Sequence, residues 1–445
     1  MSDAVDARAR RFAAFLGAVA AVALAVRVAY VLVERRDFDP GGDAYFYHAG
    51  ANLLADGHGF VSPFHHLEGR AVPAAEHPPL YLVYLAIPSA LGLGGVLAHL
   101  LWSCVLGVAT VVVTGLVGRA VGGDRVGLLA AAAAAVHPNL WAPDGMLQAE
   151  TASTFAATLA VWLAYRYWAR PGGGRLAAVA AAVGAGALAR SELALLVPLL
   201  VVPLALARRD RPWRTRLRWA AAATLTALAV VSPWLVYNAT RFEHPVLLST
   251  QIDQLLASAN CDSTYFGSLQ GYYDITCAMA VARREGLDGS GDQSEEGRVY
   301  RRAALDYVRE HLGELPRVTA VRLLRSVALY APARHVRMDV FFEGRETWVA
   351  WAALFAFYTV ALAAVAGAVV VRRDRRVPLF PLLAPVGMVL VTVVVTYAST
   401  RFRAAAEPVL VVLAAVAAER AGRLLVAAAR RKAAGGSAAP RPRPS

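Results

Sequence analysis

The sequence predicts an all-α polytopic membrane protein with about ten transmembrane helices, and three observations predict it. The 445 residues are 58% hydrophobic with a mean hydropathy of +0.46, well outside the range of soluble globules. Many apolar runs reach the roughly 20 residues that a helix needs to cross a bilayer. They lack the alternation of barrel strands, and in lipid the backbone must satisfy its own hydrogen bonds, which leaves helices. Finally, basic residues fall in short clusters between those runs. The formal charge of +13 is almost wholly arginine, Lys432 being the only lysine. Clusters of that kind encode orientation and do not form a duplex-binding face, so no nucleic-acid partner is expected.

Taken in order, Arg8, Arg10 and Arg11 precede the first apolar run, 12–33. That run is longer than a signal-peptide core, and Arg35 and Arg36 follow it in place of a cleavage site, so a retained helix is expected. Further spans are expected near 95–117, 126–142, 151–168, 175–189, 192–207, 218–237, 348–371, 378–397 and 407–425. Arginine clusters then recur at Arg119 and Arg125, at Arg166, Arg170 and Arg175, from Arg208 to Arg218, from Arg372 to Arg376, and at Arg430 and Arg431. Every second connection is arginine-rich, so the positive-inside rule places both termini in the cytoplasm. The run Pro78–Leu93 is short and proline-bearing and is read as juxtamembrane or re-entrant. As a span it would put the Arg166 and Arg208 clusters outside. The expected organisation is a membrane core over 1–237 with a first outer loop at 34–94 carrying amphipathic helices. A small, mostly helical extracytoplasmic segment follows at 238–347, then C-terminal spans over 348–428 and a disordered tail over 429–445.

The outer connections gather Asp43, Glu76, His77, Asp144, Glu150, Arg190, Glu192, Arg401, Arg403 and Glu407. Asp43 follows a Gly-Gly turn and opens an amphipathic helix with Tyr47, Ala51 and Leu54 on one face. It is either a plain N-cap or a catalytic carboxylate, and the two are compatible. The first loop also holds His48, His58, His65, His66 and His77. With Glu76 these are zinc-type ligands, yet no pair has the i, i+4 spacing of a strong metal motif. A divalent metal is therefore only a possible cofactor, with Glu76, His77 and Glu150 as its candidate ligands. Glu150 heads a helix of small residues, while Arg190-Ser191-Glu192 reads as a tight hairpin with an ion pair. Arg401 and Arg403 run against the charge bias of an outer loop. Their planar forks suit a phosphate, although snorkelling to headgroups is the plainer alternative. Arg27 lies inside the first span, where a charge needs a partner, and Glu150 is one candidate. Cys261 and Cys277 share the outer segment at short spacing, which favours a disulfide, whereas Cys104 is expected to pack in a span. A mobile loop is expected over Gly286–Gly297 and a basic surface helix over Pro316–Tyr330 with Arg317, Arg322 and Arg325.

These residues carry a resemblance. Gly42-Asp43-Ala44-Tyr45-Phe46-Tyr47 with Ala51, Leu54, Gly57 and Gly59, then Glu76-His77-Pro78-Pro79-Leu80-Tyr81, resemble the GT-C superfamily of membrane glycosyltransferases. The chain looks closest to glycosyltransferase family 39 and the aminoarabinose-transferase-like proteins. Glu150, Ala189-Arg190-Ser191-Glu192, and Thr400-Arg401-Phe402-Arg403 with Glu407-Pro408 reinforce the likeness, the last looking like its actinobacterial branch. The resemblance implies an inverting transferase that uses a polyprenyl-phosphate sugar at the outer face of the membrane, with Asp43 as general base. Arg401, Arg403 and His77 would contact the donor phosphate, and Tyr47, Glu76, Asp144, Glu150 and Arg190 would support the site or acceptor. The acceptor class stays open between glycan, glycolipid and protein. Two features depart from the pattern. His77 stands where the aminoarabinose transferases carry lysine, and Asp43 lacks the acidic neighbour common in protein mannosyltransferases. A flippase for lipid-linked glycans, or a silent relative, is the alternative.

Overall fold

The computed structural model describes residues 2–289 and 291–435. Among them there is no β-strand, only one isolated bridge between Val61 and Pro73. Each of the ten expected spans coincides with helix. The first is Ser2–Glu34, and the second and third, Val96–Gly122 and Asp124–Val136, are hinged at Gly123. Glu150–Ala169, Gly173–Ala187 and Trp213–Ala239 follow, then Thr347–Asp374, Phe380–Val395 and Glu407–Gly435. The remaining run, Ser191–Leu206, is broken into a 3-10 turn, a π-turn at Val197–Val201 and a short α-helix. Pro198 and Pro203 remove backbone donors there, which explains the irregular winding.

Among the described residues, four helices are long and apolar enough to cross a membrane on their own terms: Asp6–Glu34, Val96–Gly122, Trp213–Ala239 and Thr347–Asp374. Gly173–Ala187, with 15 residues, reaches only about 22 Å at 1.5 Å per residue, short of the ~30 Å hydrocarbon core. Leu80–Ala90 is shorter still, and its backbone is tied to the bundle where Leu80 N donates to Leu188 O at 2.7 Å.

Small residues set the close approaches. A Cβ on Gly367 would lie 1.8 Å from Leu413 O, so Thr347–Asp374 and Glu407–Gly435 cross at near backbone contact. Packing through small residues is what holds helices together in lipid, where burying apolar surface gives no advantage.

The connections sort to two ends. Arg8 reaches Asp124 at 2.6 Å and Arg119 reaches the same carboxylate at 2.8 Å, so the first two arginine clusters share one end. The first loop, the Leu188–Glu192 turn, the segment around 251–343 and the 396–406 turn meet at the other, where Thr250 N donates to Ala75 O at 2.8 Å. The segment between Trp213–Ala239 and Thr347–Asp374 is helical, with Gln251–Ala259, Ile275–Glu285, Gln293–Glu310, Leu315–Ser326 and Pro332–Glu343 as its main pieces. Cys261 and Cys277 are bonded within it, and Cys104 is a buried free thiol.

Three expectations are corrected here. The stretch 286–297 is not all loop, because a helix begins at Gln293, where Asp292 accepts from Ser294 N at 2.7 Å and caps it. The helix Leu315–Ser326 is not simply a basic surface helix. Arg322 and Arg325 are buried, their guanidiniums donating to Ala259 O and Gln270 O. The last helix runs on to Gly435, into the expected tail, since its alanines and arginines are strong helix formers. Positions 436–445 of that tail lie outside the described residues.

Candidate active site

The helix Gly42–Ala55 starts where Gly42 takes φ +53°, a left-handed conformation open to glycine. Gly41 holds the cap position, so the Asp43 carboxylate is free to reach across the fold. Its Oδ2 lies 2.8 Å from Arg401 Nη2 and its Oδ1 lies 3.3 Å from His77 Nε2. One turn on, buried Tyr47 stacks on His77 with centroids 5.0 Å apart and meets Tyr81 edge-on. Arg401 rides on the short helix Thr400–Arg403, capped by Ser399 Oγ, which accepts from Arg401 N. Thr400 Oγ1 fixes that turn from behind by donating to Asp339 Oδ1 at 2.9 Å.

Four carboxylates surround two guanidiniums. Glu150 Oε1 accepts from both Arg401 Nε and Arg190 Nη1 at 2.5 Å. Glu192 takes Arg190 Nε at 2.5 Å, and Glu343 Oε2 lies 3.4 Å from Arg401 Nε. Burial raises the Asp43 carboxyl, but the Arg401 guanidinium, and after it His77, more than offset this and hold it well below the usual carboxylate range. Glu343 goes the other way: burial pushes it up despite Arg401.

The cluster opens on a cavity of ≈ 550 Å³. Asp43, His77, Arg190, Glu192 and Arg401 are its charged lining residues, and Leu195, Val391, Val395, Ile252 and Leu255 are its aliphatic ones. Tyr273, Phe342 and Tyr397 also line it. A larger groove of ≈ 1300 Å³ lies between Ser2–Glu34, Asp124–Val136 and Glu407–Gly435 at the arginine-cluster end. Its walls are mainly Ala, Val and Leu, with Arg125, Arg430 and the paired Glu419 and Arg423 as its charged residues.

Asp43, Tyr47, His77, Glu150, Arg190 and Arg401 are thus brought together, and other expected site residues are not. Arg403 is buried, bonded to Glu407 Oε1 at 2.7 Å and Ser326 O, with its guanidinium 3.5 Å over the Phe357 ring. It ties helices together and does not face the cavity. Asp144 is the partner of Arg27, in place of Glu150, at 2.7 Å in a fully buried pair. Glu76 bonds Gln293 Nε2 at 2.9 Å and Ser62 Oγ at 3.4 Å, in the joint between first loop and outer segment. His48 pairs with His99, and His65 bonds Gly289 O, so these histidines pack. A divalent metal does not fit the candidate ligands: Glu150 is taken by two guanidiniums and Glu76 by Gln293. Among the described residues no group of three or more His, Cys, Asp or Glu is placed to hold an ion. Glu343 is the residue that sequence reasoning missed. It carries no motif, and only the tertiary fold brings it to Arg401.

Residues 76–237, less than half of the chain, match the family model of dolichyl-phosphate-mannose-protein mannosyltransferase. No curated protein matches the sequence. The fold is that of the oligosaccharyltransferase AglB from Archaeoglobus fulgidus, solved with an inhibitory peptide and a dolichol-phosphate. The TM-score is 0.55 at 14% identity, over 98% of this chain and 52% of that one. Another crystal structure of that transferase holds zinc and sulfate, with TM-score 0.53 at 13% identity over 92% of this chain and 49% of that one. ArnT from Cupriavidus metallidurans bound to undecaprenyl phosphate aligns at TM-score 0.45 and 16% identity, over 92% and 78%. The chain spans about half the length of the archaeal transferase. The family match and the AglB fold together bear out the resemblance to GT-C membrane glycosyltransferases.

Proposed function

We propose that this protein is an inverting glycosyltransferase that moves a sugar from a polyprenyl-phosphate donor to an acceptor hydroxyl at the outer face of the membrane. The observation that carries this reading is the cavity, which a carboxylate and a guanidinium at 2.8 Å line together with a set of aliphatic side chains. A lipid phosphate needs that pairing of cation and grease. The arginine clusters at the opposite end support the outward orientation.

In the reaction, Asp43 takes the proton of the acceptor hydroxyl as that oxygen attacks the anomeric carbon. The bond from that carbon to the phosphate oxygen breaks, and the phosphate keeps the electron pair. A phosphate is already a good leaving group, so cationic stabilisation by Arg401 serves it better than an acid. His77 holds Asp43 from the other side and, with Tyr47, shapes the floor on which the sugar sits.

Asp43→Asn is expected to lower transfer by about 10²–10⁴, the range of general-base catalysis, in protein that still inserts and binds donor. Mass spectrometry of co-purifying lipids is the companion measurement. A polyprenyl-phosphate sugar enriched in the mutant supports a stalled transferase. Normal turnover by well-folded Asp43→Asn protein removes Asp43 from the mechanism, and a diphosphate-linked glycan equal in both proteins points to a flippase.

A further inference from the structure

Arg401 meets three carboxylates through two of its three guanidinium nitrogens. Asp43 Oδ2 takes its Nη2 at 2.8 Å, Glu150 Oε1 accepts from Nε at 2.5 Å, and Glu343 Oε2 lies 3.4 Å from the same nitrogen. Glu343 is fixed in turn by Gln148 Nε2, which donates to it at 3.1 Å. The Nε side is therefore gripped by two buried carboxylates on separate helices. The Nη2 end is held by Asp43 alone, and Asp43 is the most exposed member of the group, with 23% of its side chain accessible.

This arrangement conflicts with the reaction proposed above, on which the inference rests. A carboxylate locked to a guanidinium is a poor proton acceptor. A guanidinium locked to a carboxylate is a poor clamp for phosphate. Asp43 and the Nη2 end of Arg401 are needed at the same moment, and they are paired to each other.

We propose that Arg401 is an exchange arm: the donor phosphate displaces Asp43 from its Nη2 end, while Glu150 and Glu343 hold Nε as the pivot. Asp43 is released as a base only when the donor is seated, so the donor binds before the acceptor in every productive cycle. The acceptor proton then passes to the freed carboxylate, the new bond forms at the anomeric carbon, and the phosphate leaves onto the guanidinium with the bonding pair. Without a donor, the pair keeps the site from deprotonating stray hydroxyls. Glu150 and Glu343 act here as positioning residues.

Competition for one guanidinium is read as affinity. The experiment measures the dissociation constant of a sugar-free C55 polyprenyl monophosphate for the full chain in detergent, in wild type, Asp43→Asn, Glu192→Gln and Arg401→Gln. Asp43→Asn is expected to bind about 10-fold tighter, because the competing carboxylate is gone and the competent state is no longer a fraction of the whole. Asp43→Ala makes the same change should the amide fail to fold. Glu192→Gln neutralises a carboxylate lining the same cavity but paired with Arg190, and is expected to tighten binding less than Asp43→Asn does. Arg401→Gln is expected to lose binding. Equal affinity in wild type and Asp43→Asn, or equal tightening in Glu192→Gln, overturns the exchange while leaving Arg401 as the phosphate clamp. No binding in any protein overturns the transferase reading and the exchange with it.

Discussion

Removing the charge of Asp144 should destabilise the bundle more than removing both members of its ion pair. Arg27 and Asp144 have side-chain exposures of 0% and 2%. Arg27 spends Nε on Asp144 Oδ2 at 2.7 Å, and its terminal nitrogens on Ala23 O, Ala135 O and Leu140 O. Asp144 spends its other oxygen on Thr151 Oγ1 at 2.8 Å. Asp144→Asn leaves a guanidinium without a counter-charge inside the bundle, and breaking a buried pair in that way costs about 3–5 kcal/mol. The amide can still accept one bond, so the lower end, about 3 kcal/mol, is expected. Arg27→Met combined with Asp144→Asn removes both charges and should recover at least about 2 kcal/mol. Gly107→Ala tests the same pair by geometry, because a Cβ there would sit 1.9 Å from Asp144 Oδ2 and 2.7 Å from Arg27 Nε. The assay is reversible unfolding in mixed micelles by SDS titration, followed by tryptophan fluorescence. Single-mutant effects that add to within about 0.5 kcal/mol, as they do for independent sites, would refute the reasoning.

Two further outcomes follow from the outer segment. Replacing Cys261 and Cys277 by alanine opens a closure of sequence separation 16, worth about 3 kcal/mol in the chain-entropy model. Faster hydrogen exchange over 251–285, with the bundle helices unchanged, is the expected readout, and unchanged protection there would count against it. His335 is buried, neither ring nitrogen is hydrogen-bonded, and its Nε2 lies 3.9 Å from Asp339 Oδ1. Burial, against the pull of Asp339, pushes its pKa down to about 4. Between pH 6.5 and 4 the unfolded chain binds a proton that the folded one refuses, so stability falls as pH drops through that window, by up to about 3 kcal/mol. His335→Leu should flatten this acid limb of a plot of melting temperature against pH, and an unchanged slope would assign the limb to other groups.

Much of the site was legible in the sequence, and particular residues show where legibility ended. Asp43 stood out because it opens an aromatic amphipathic helix after a Gly-Gly turn, although a plain N-cap was an equally open reading. Arg401 stood out because an arginine on the outer side opposes the charge bias. Arg403 looked equivalent and is not, since residues two apart on a helical turn face opposite ways: Arg401 meets Asp43 while Arg403 meets Glu407. Asp144 and Glu150 were both candidates, and only the tight turn at Ala142–Gly145 decides that the first serves Arg27 and the second Arg401. The ten helical runs were legible from hydrophobicity, but the breaks in Ser191–Leu206 depend on two prolines whose effect is local winding. Glu343, Arg322 and Arg325 were invisible in their roles, because their partners come from segments roughly 50 to 200 positions away.

The charged groups divide into sealed pairs and open ones, and this division locates the chemistry. Arg27 with Asp144 and Arg403 with Glu407 have side-chain exposures of 0–6%, and each is enclosed by packed helices. Such pairs are weak contributors to net stability, but their partners are costly to separate, so they fix how the helices fit and leave nothing for a ligand. Arg401, Arg190, Glu192, His77 and Asp43 have side-chain exposures of 14–23%, all on one cavity. If these charges served only to pack helices, they too could be enclosed, since the fold encloses the others. Leaving them accessible makes their pairings exchangeable, at the mouth of a lumen with an apolar wall. An anion with a lipid tail answers both features, which is the argument for proposing the open cluster, and not the larger groove at the other end, as the site of transfer.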